Sequence, residues 1–240
     1  FNLDIGHSFD DDFDEKNPRP ASDLPHVRTE IISYLQETDN YLTTAKFDYF
    51  WSPKPQMFFK TSIGIFEMMY AGYGMEYLYK PFKSNFLVGF ELYDVKRRTF
   101  DQNFDLLDYR VQTGHMNFTY YFENSGITLK TSYGKYLAKD KGFTFDLSRR
   151  SSNGFEAGFY FSLTDVPAEI FGEGSFDKGF YFEIPYDLFS NIFSKETFPF
   201  SYKPLTRDGG QKLNNSNDLI SLYKNDTKSK ILEGANGFLD

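Results

Sequence analysis

The residues best suited to chemistry begin with an acidic run, Asp10-Asp11-Asp12-Phe13-Asp14-Glu15. Asp10, Asp12 and Asp14 have the alternate spacing with which calcium loops offer carboxylates to a hard cation. Such a loop needs Gly at its sixth position for the sharp turn and Glu at its twelfth; here these are Glu15 and Ala21. An EF-hand is therefore excluded, the run reads as a solvated acidic loop, and no metal site is assigned. His7, His26 and His115 are too scattered for a two-histidine metal motif. His115 lies in an alternating segment and reads as a hydrogen-bonding side chain. Glu169/Glu173 and Glu173/Asp177 suggest the paired acids of glycoside cleavage, which stand about 5–10 Å apart. With 34 Asp and Glu in 240 residues, however, such pairs are expected by chance. Glu173 and Asp177 read instead as loop charges pairing with Lys178 or Arg207. The chain has no Cys, which removes disulfides, thiolate metal sites and cysteine nucleophiles. Neither a G-x-S-x-G elbow, a Walker loop nor a dinucleotide fingerprint occurs. No catalytic residue and no cofactor is assigned, and a non-enzymatic role is expected.

What must position these residues is a set of β-strands. Aromatic residues make up 20% of the chain, with 29 Phe and 18 Tyr, yet the mean hydropathy is −0.52. The two values agree if apolar side chains alternate with polar ones, as in a strand that shows lipid only every second residue. Met57, Phe59, Thr61, Ile63 and Ile65 alternate with Phe58, Lys60, Ser62 and Gly64. The same period of two runs through Tyr41–Trp51, Tyr73–Tyr79, Phe86–Leu92, Met116–Phe122, Ile127–Tyr133, Phe143–Leu147, Phe155–Leu163, Phe180–Ile184 and Phe198–Tyr202. The opposite face carries Lys46, Asp48, Lys60, Glu76, Glu91, Lys130, Asp146, Arg150, Glu156 and Glu183. No stretch approaches 18 uncharged apolar residues, so membrane-spanning helices are excluded. Strand-plus-connection units of roughly 15–20 residues match membrane-barrel spans and predict about 10–12 strands. The expected fold is all-β: an antiparallel transmembrane β-barrel over residues 1–213, charges toward the lumen and aromatics toward lipid.

Compact turns rich in Pro, Gly, Asn and Ser punctuate the pattern, at Ser52–Pro55, Lys80–Asn85, Glu123–Gly126, Lys139–Gly142 and Ser151–Gly154. Longer connections run from Arg97 to Leu106 and from Asp165 to Lys178; the second is expected to be ordered, with Glu173, Asp177 and Lys178 in a salt-bridged fold-back. Asp23 to Glu37 reads as a short helix, with Asp23 as N-cap, Pro25 in the first turn, and Val27, Ile31 and Leu35 four residues apart. Residues 214–240 read as a polar C-terminal tail with a short helix from about Leu219. No signal segment precedes Phe1, so the chain reads as a processed or truncated product, the C-terminal part of something longer.

Two segments carry a resemblance to a known family: Thr164-Asp165-Val166-Pro167-Ala168-Glu169-Ile170-Phe171-Gly172-Glu173-Gly174-Ser175-Phe176-Asp177-Lys178-Gly179, and Pro204-Leu205-Thr206-Arg207-Asp208-Gly209-Gly210-Gln211-Lys212-Leu213. Leu24-Pro25-His26-Val27-Arg28, Tyr70–Glu76, Tyr79–Phe82 and Phe143–Arg149 add to it in the same order. Together they resemble the YjbH/GfcD-type family of outer-membrane exopolysaccharide and capsule biosynthesis proteins, over its C-terminal barrel region. The resemblance implies an outer-membrane location and a part in assembling or exporting extracellular polysaccharide. It implies as partners the membrane lipid, the polymer, and other products of an exopolysaccharide operon or a second barrel. It supplies no catalytic residues.

Within that expectation, Tyr93, Tyr121, Tyr160 and Tyr181 share the parity of the charged face and are the candidates for stacking on sugar rings. Thr206-Arg207-Asp208-Gly209-Gly210 follows the last strand and is expected to be a structural latch, with Arg207 gripping a carboxylate and Asp208 accepting backbone hydrogen bonds. A net charge of −8 and a pI near 5.0 argue against nucleic acid as a partner. The competing expectation is a soluble β-sandwich that binds or cleaves polysaccharide, in which the aromatic face would be the core.

Overall fold

A computed structural model describes residues 1–7, 23–38, 40–171, 176–186, 197–203 and 207–225. Eleven strands follow one another in chain order: β1 Asn2–His7, β2 Asn40–Lys54, β3 Met57–Glu67, β4 Tyr70–Tyr79, β5 Phe86–Arg98, β6 Leu106–Phe122, β7 Ile127–Lys135, β8 Lys141–Arg150, β9 Glu156–Thr164, β10 Asp177–Pro185 and β11 Thr197–Tyr202. Each pairs antiparallel with the next, giving one continuous meander. The all-β expectation and the strand count are met. Among the described residues β1 and β11 are edges, each paired on one side only, so the ring is not closed.

Alternation decides what the two faces carry, because successive side chains in a strand point to opposite sides. On β3, Ile63 is 61% exposed, while Lys60 and Ser62 are 0% and 3% exposed. The same inversion runs across the sheet. Phe47, Tyr73, Met116, Tyr133, Phe159, Phe180 and Phe198 are exposed, whereas Lys46, Glu76, His115, Ser132, Glu156 and Asp177 are buried. The outer rings pack on one another along and across strands, as in Trp51–Phe59–Tyr77 with centroids 5.0 and 4.8 Å apart. A β-sandwich would need this apolar face covered; among the described residues it is bare.

Two apolar clusters close the covered face at its ends. At one end Val27 and Tyr34 pack with Phe66, Met69, Tyr70, Val95, Val111 and Leu137. Tyr34 belongs to α1, Ile31–Glu37. The helix begins at Ile31 with Glu30 as N-cap, so the expected start at Asp23 is corrected. The cause lies far along the chain: Asp208 Oδ1 accepts the backbone N–H groups of Arg28 and Thr29 at 2.8 and 3.0 Å. Those donors are satisfied by a tertiary acceptor, so no local N-cap is required there. Burial pushes the Tyr34 phenol up to about 12, so it stays protonated and donates to the Arg98 carbonyl at 2.6 Å.

At the other end Leu78, Leu87 and Leu219 form the second cluster, with Phe58, Tyr121, Ile220 and Tyr223 packed against it. Leu219 opens a short C-terminal helix, Leu219–Asn225, where the sequence places one. A second short helix, Ala168–Phe171, lies in the connection after β9. Glu173 and its flanking glycines in that connection lie outside the described residues.

Candidate functional site

The charged face of the sheet is crossed by the chain's own C-terminal segment, residues 207–223, which runs along it from one cluster to the other. Asp208 starts the docking. Besides the two backbone N–H groups, its carboxylate accepts the Thr29 hydroxyl at 2.8 Å, and His26 Nδ1 lies 3.4 Å away. Arg28 completes the join, donating to Glu67 Oε1 at 2.8 Å and to the Lys212 carbonyl at 2.7 Å. Gly210 adopts φ +71, and a Cβ there would lie 2.9 Å from Ser162 Cβ, so this turn requires glycine. Its N–H donates to Asp140 at 2.7 Å, and the Leu137 N–H donates to the Gln211 carbonyl at 2.9 Å. Burial pushes the Asp140 carboxyl up from the usual range.

Farther along, the segment meets a ladder of buried charges on β2–β4. Lys46 donates to Asn215 Oδ1 and to the Ser216 carbonyl, and pairs with Asp48 at 3.3 Å. Lys60 donates to the Asn217 carbonyl at 3.0 Å and to Glu76 at 2.8 Å. Glu76 also accepts the Tyr93 hydroxyl, the Asn215 amide at 2.8 Å and the Leu219 N–H at 2.7 Å. Every partner is a charge or a polar group, so the segment is bound by hydrogen bonds over its middle and by apolar contacts at its end. The polar tail expected from residue 214 onward thus begins as a segment held against the charged face through Asn215, Ser216, Asn217 and Leu219.

The sequence candidates fall into two groups. Asp208 is central to the latch, and Arg207 beside it is half-buried. Asp177 is buried but pairs with Lys203 at 2.9 Å, not with Lys178. Adjacent strand residues point to opposite faces, so Lys178 lies outside with its ammonium over the Phe176 ring. The four tyrosines do face inward, spread over separate strands. Tyr181 and Tyr160 lie across Gly158 and Gly179, where an added Cβ would come within 2.4 and 2.7 Å of the rings. Tyr181 also donates to Asp146 at 2.9 Å. Tyr93 is buried beneath Asn215 and against Phe66, and Tyr121 packs in the Leu219 cluster.

Sequence reasoning missed Arg98, which is fully buried at the α1 end. Its guanidinium donates to the carbonyls of Leu42, Met68 and Gln102, joining β2, the β3–β4 turn and the β5–β6 connection, which no local pattern links. Between the segment and β5–β7 lies a half-open cavity of about 330 Å³, with polar residues on both walls.

Fold and site together define an all-β protein of inverted polarity, apolar outside and charged within, whose interior is occupied by its own chain. The chain belongs to the YjbH family: the family model described as exopolysaccharide biosynthesis protein YbjH matches residues 2–225. The uncharacterized lipoprotein YjbH of Escherichia coli (strain K12) is 38% identical over 209 residues, covering 85% of this chain. The chain spans 30% of that relative's length. No solved structure matches it.

Proposed function

We propose that this chain forms the wall of an outer-membrane β-barrel that serves, without catalysis, in assembling or exporting extracellular polysaccharide. The observation that carries the reading is the inverted sheet. A broad band of exposed Phe, Tyr, Ile and Leu would be an aggregation liability in water and is what lipid selects. Family membership supports the link to exopolysaccharide, and the lipoprotein name of the E. coli relative supports a place in the envelope. Lipid covers the aromatic face, and the polymer, or other proteins of the same export apparatus, meets the polar one. Because residues 207–223 lie across the polar face, polymer passage along it would need that segment to move, whereas a scaffold would keep it in place. The test is cell fractionation of the full polypeptide with heat-modifiable gel mobility, alongside secreted polysaccharide in a deletion strain. The expected result is a folded, detergent-extracted outer-membrane species and reduced polymer. A species soluble without detergent would favour the sandwich reading and overturn this one.

A further inference from the structure

The apolar band on the outer face of the sheet ends on lysines. Outward positions of β8 read Lys141, Phe143, Phe145, Leu147 and Arg149, with Phe143 and Leu147 both exposed. Three apolar side chains thus stand between two cations. From Lys141 to Arg149 the strand rises about 27 Å at ~3.4 Å per residue, or about 20 Å along a membrane normal at the usual ~35–45° tilt. The lipid-facing band of membrane barrels is about 25 Å tall, so each cation falls near one boundary. Other strands stop in the same way at the end that carries α1. The outward run of β5 passes Phe90 and Leu92 to Asp94 and Lys96, that of β7 closes on Tyr133 and Lys135, and that of β10 opens on Lys178 and Phe180.

On this rim Lys135 and Lys141 stand directly opposite each other in the β7–β8 register. Side chains so placed have Cβ atoms about 4.5–5.5 Å apart, and like charges there repel. The carboxylates of the rim are engaged elsewhere. Asp165 accepts the Lys141 backbone N–H at 2.8 Å, and Asp94 holds the Arg110 guanidinium through both oxygens at 2.7 Å. Among the described residues neither lysine has an ion-pair partner. An anion seated between the two ammonium groups would turn their repulsion into attraction. One step toward the middle of the band, Tyr133 and Phe143 form the next opposed pair, with ring centroids 4.6 Å apart. The ligand that satisfies both pairs carries an anionic head on an apolar chain. An acidic sugar polymer would meet the lysines but leave the band beside them bare.

We propose that Lys135 and Lys141 clasp the phosphate of an anionic lipid at one boundary of the membrane, its chains lying over Tyr133 and Phe143. The proposal rests on the barrel reading and adds to it a headgroup charge and a place. The full polypeptide, reconstituted in lipid vesicles, is labelled with photoreactive phosphatidylglycerol or photoreactive phosphatidylcholine, and the adducts are mapped by peptide. Peptides containing residues 133–143 should take more of the anionic lipid, a readout that needs no substitution, while β3 around Ile63 should take both equally. A lysine near a membrane surface contributes about 1 kcal/mol toward anionic lipid, or about fivefold. Lys135→Gln and Lys141→Gln should each lower the preference at this site by about that factor with unchanged gel mobility, and the arginine variants should keep it. Equal labelling by the two lipids in an inserted protein, or a preference that survives both glutamine changes, would overturn the lipid site and leave the proposed function standing. Suppression of the labelling by inorganic phosphate or oligoglucuronate at the lipid's own concentration would overturn it in favour of a free anion or the polymer. Failure to insert into any vesicle would overturn both readings.

Discussion

Glu76 is the residue on which the interior converges, taking hydrogen bonds from Lys60, Tyr93, Asn215 and the Leu219 N–H. Removing one partner of a buried ion pair strands the other, at about 3–5 kcal/mol. Glu76→Ala should therefore lower stability by about that much, because the fully buried Lys60 ammonium keeps only the Asn217 carbonyl among these contacts. Glu76→Gln should cost less, since its carbonyl oxygen still accepts. Urea unfolding of the two variants in detergent or lipid checks both; an alanine cost below about 1 kcal/mol would mean the network re-forms without this carboxylate. The parity of Glu76, Lys60 and Lys46 was readable from alternation, so their shared face was legible. Their partners were not, because Asn215 to Leu219 lie more than a hundred residues away and carry no matching pattern. Arg98 was invisible for the same reason: it binds backbone carbonyls, which every residue has.

At the scale of elements, β3 offers the sharpest test of what surrounds the sheet. Ile63 is exposed near the middle of this eleven-residue strand. In water an arginine at such a site changes stability by about 0.5 kcal/mol or less. At a bilayer midplane it costs about 2–4 kcal/mol. Ile63→Arg should therefore reduce the fraction folded into lipid vesicles, and an unchanged fraction would count against lipid contact. A second test concerns the latch. Asp208→Ala leaves the Arg28 and Thr29 N–H groups and the Thr29 hydroxyl unpaired, an expected loss of about 1–3 kcal/mol for each group that stays buried. Amide exchange at residues 28 and 29 should quicken while strand amides stay protected; uniform quickening would mean that the latch and sheet unfold as one unit. The strands were legible because a period of two with one apolar face admits few alternatives. The helix start was not, since Asp208 replaces the local cap. The path of the C-terminal segment was not legible for a different reason. Polar composition ordinarily marks a solvated tail, but where the interior is charged, a polar segment is what that interior accepts.

At the scale of the whole sheet, the eleven strands of the described residues constrain how it can close. In a meander of successive antiparallel neighbours the first and last strands of an odd set run in the same direction, so β1 and β11 are parallel to each other. Joining them directly would create one parallel pair in an otherwise antiparallel ring. Single-chain bacterial barrels have even strand numbers, in which every neighbour is antiparallel. Yet unpaired edges are not tolerated in hydrocarbon, because each free N–H and C=O costs several kcal/mol there. On the barrel reading, an odd number of strands beyond these eleven must therefore stand between β11 and β1, contributed by residues outside the described ones or by another chain. Absence of Cys makes this testable with engineered pairs. Single cysteines at Leu3, Asp4 and Ile5 on β1, combined in turn with single cysteines at Phe198, Phe200 and Ser201 on β11, would report direct contact by forming a disulfide. Two edges separated by an inserted strand lie about 9–10 Å apart, beyond the reach of a disulfide, whose Cα atoms stand at most about 7 Å apart. None of the β1–β11 combinations should cross-link within a chain, while control pairs across β2 and β3, such as Phe47 with Ile63, should oxidise readily. Efficient disulfides across β1 and β11 would establish closure in parallel register and refute the inserted strand.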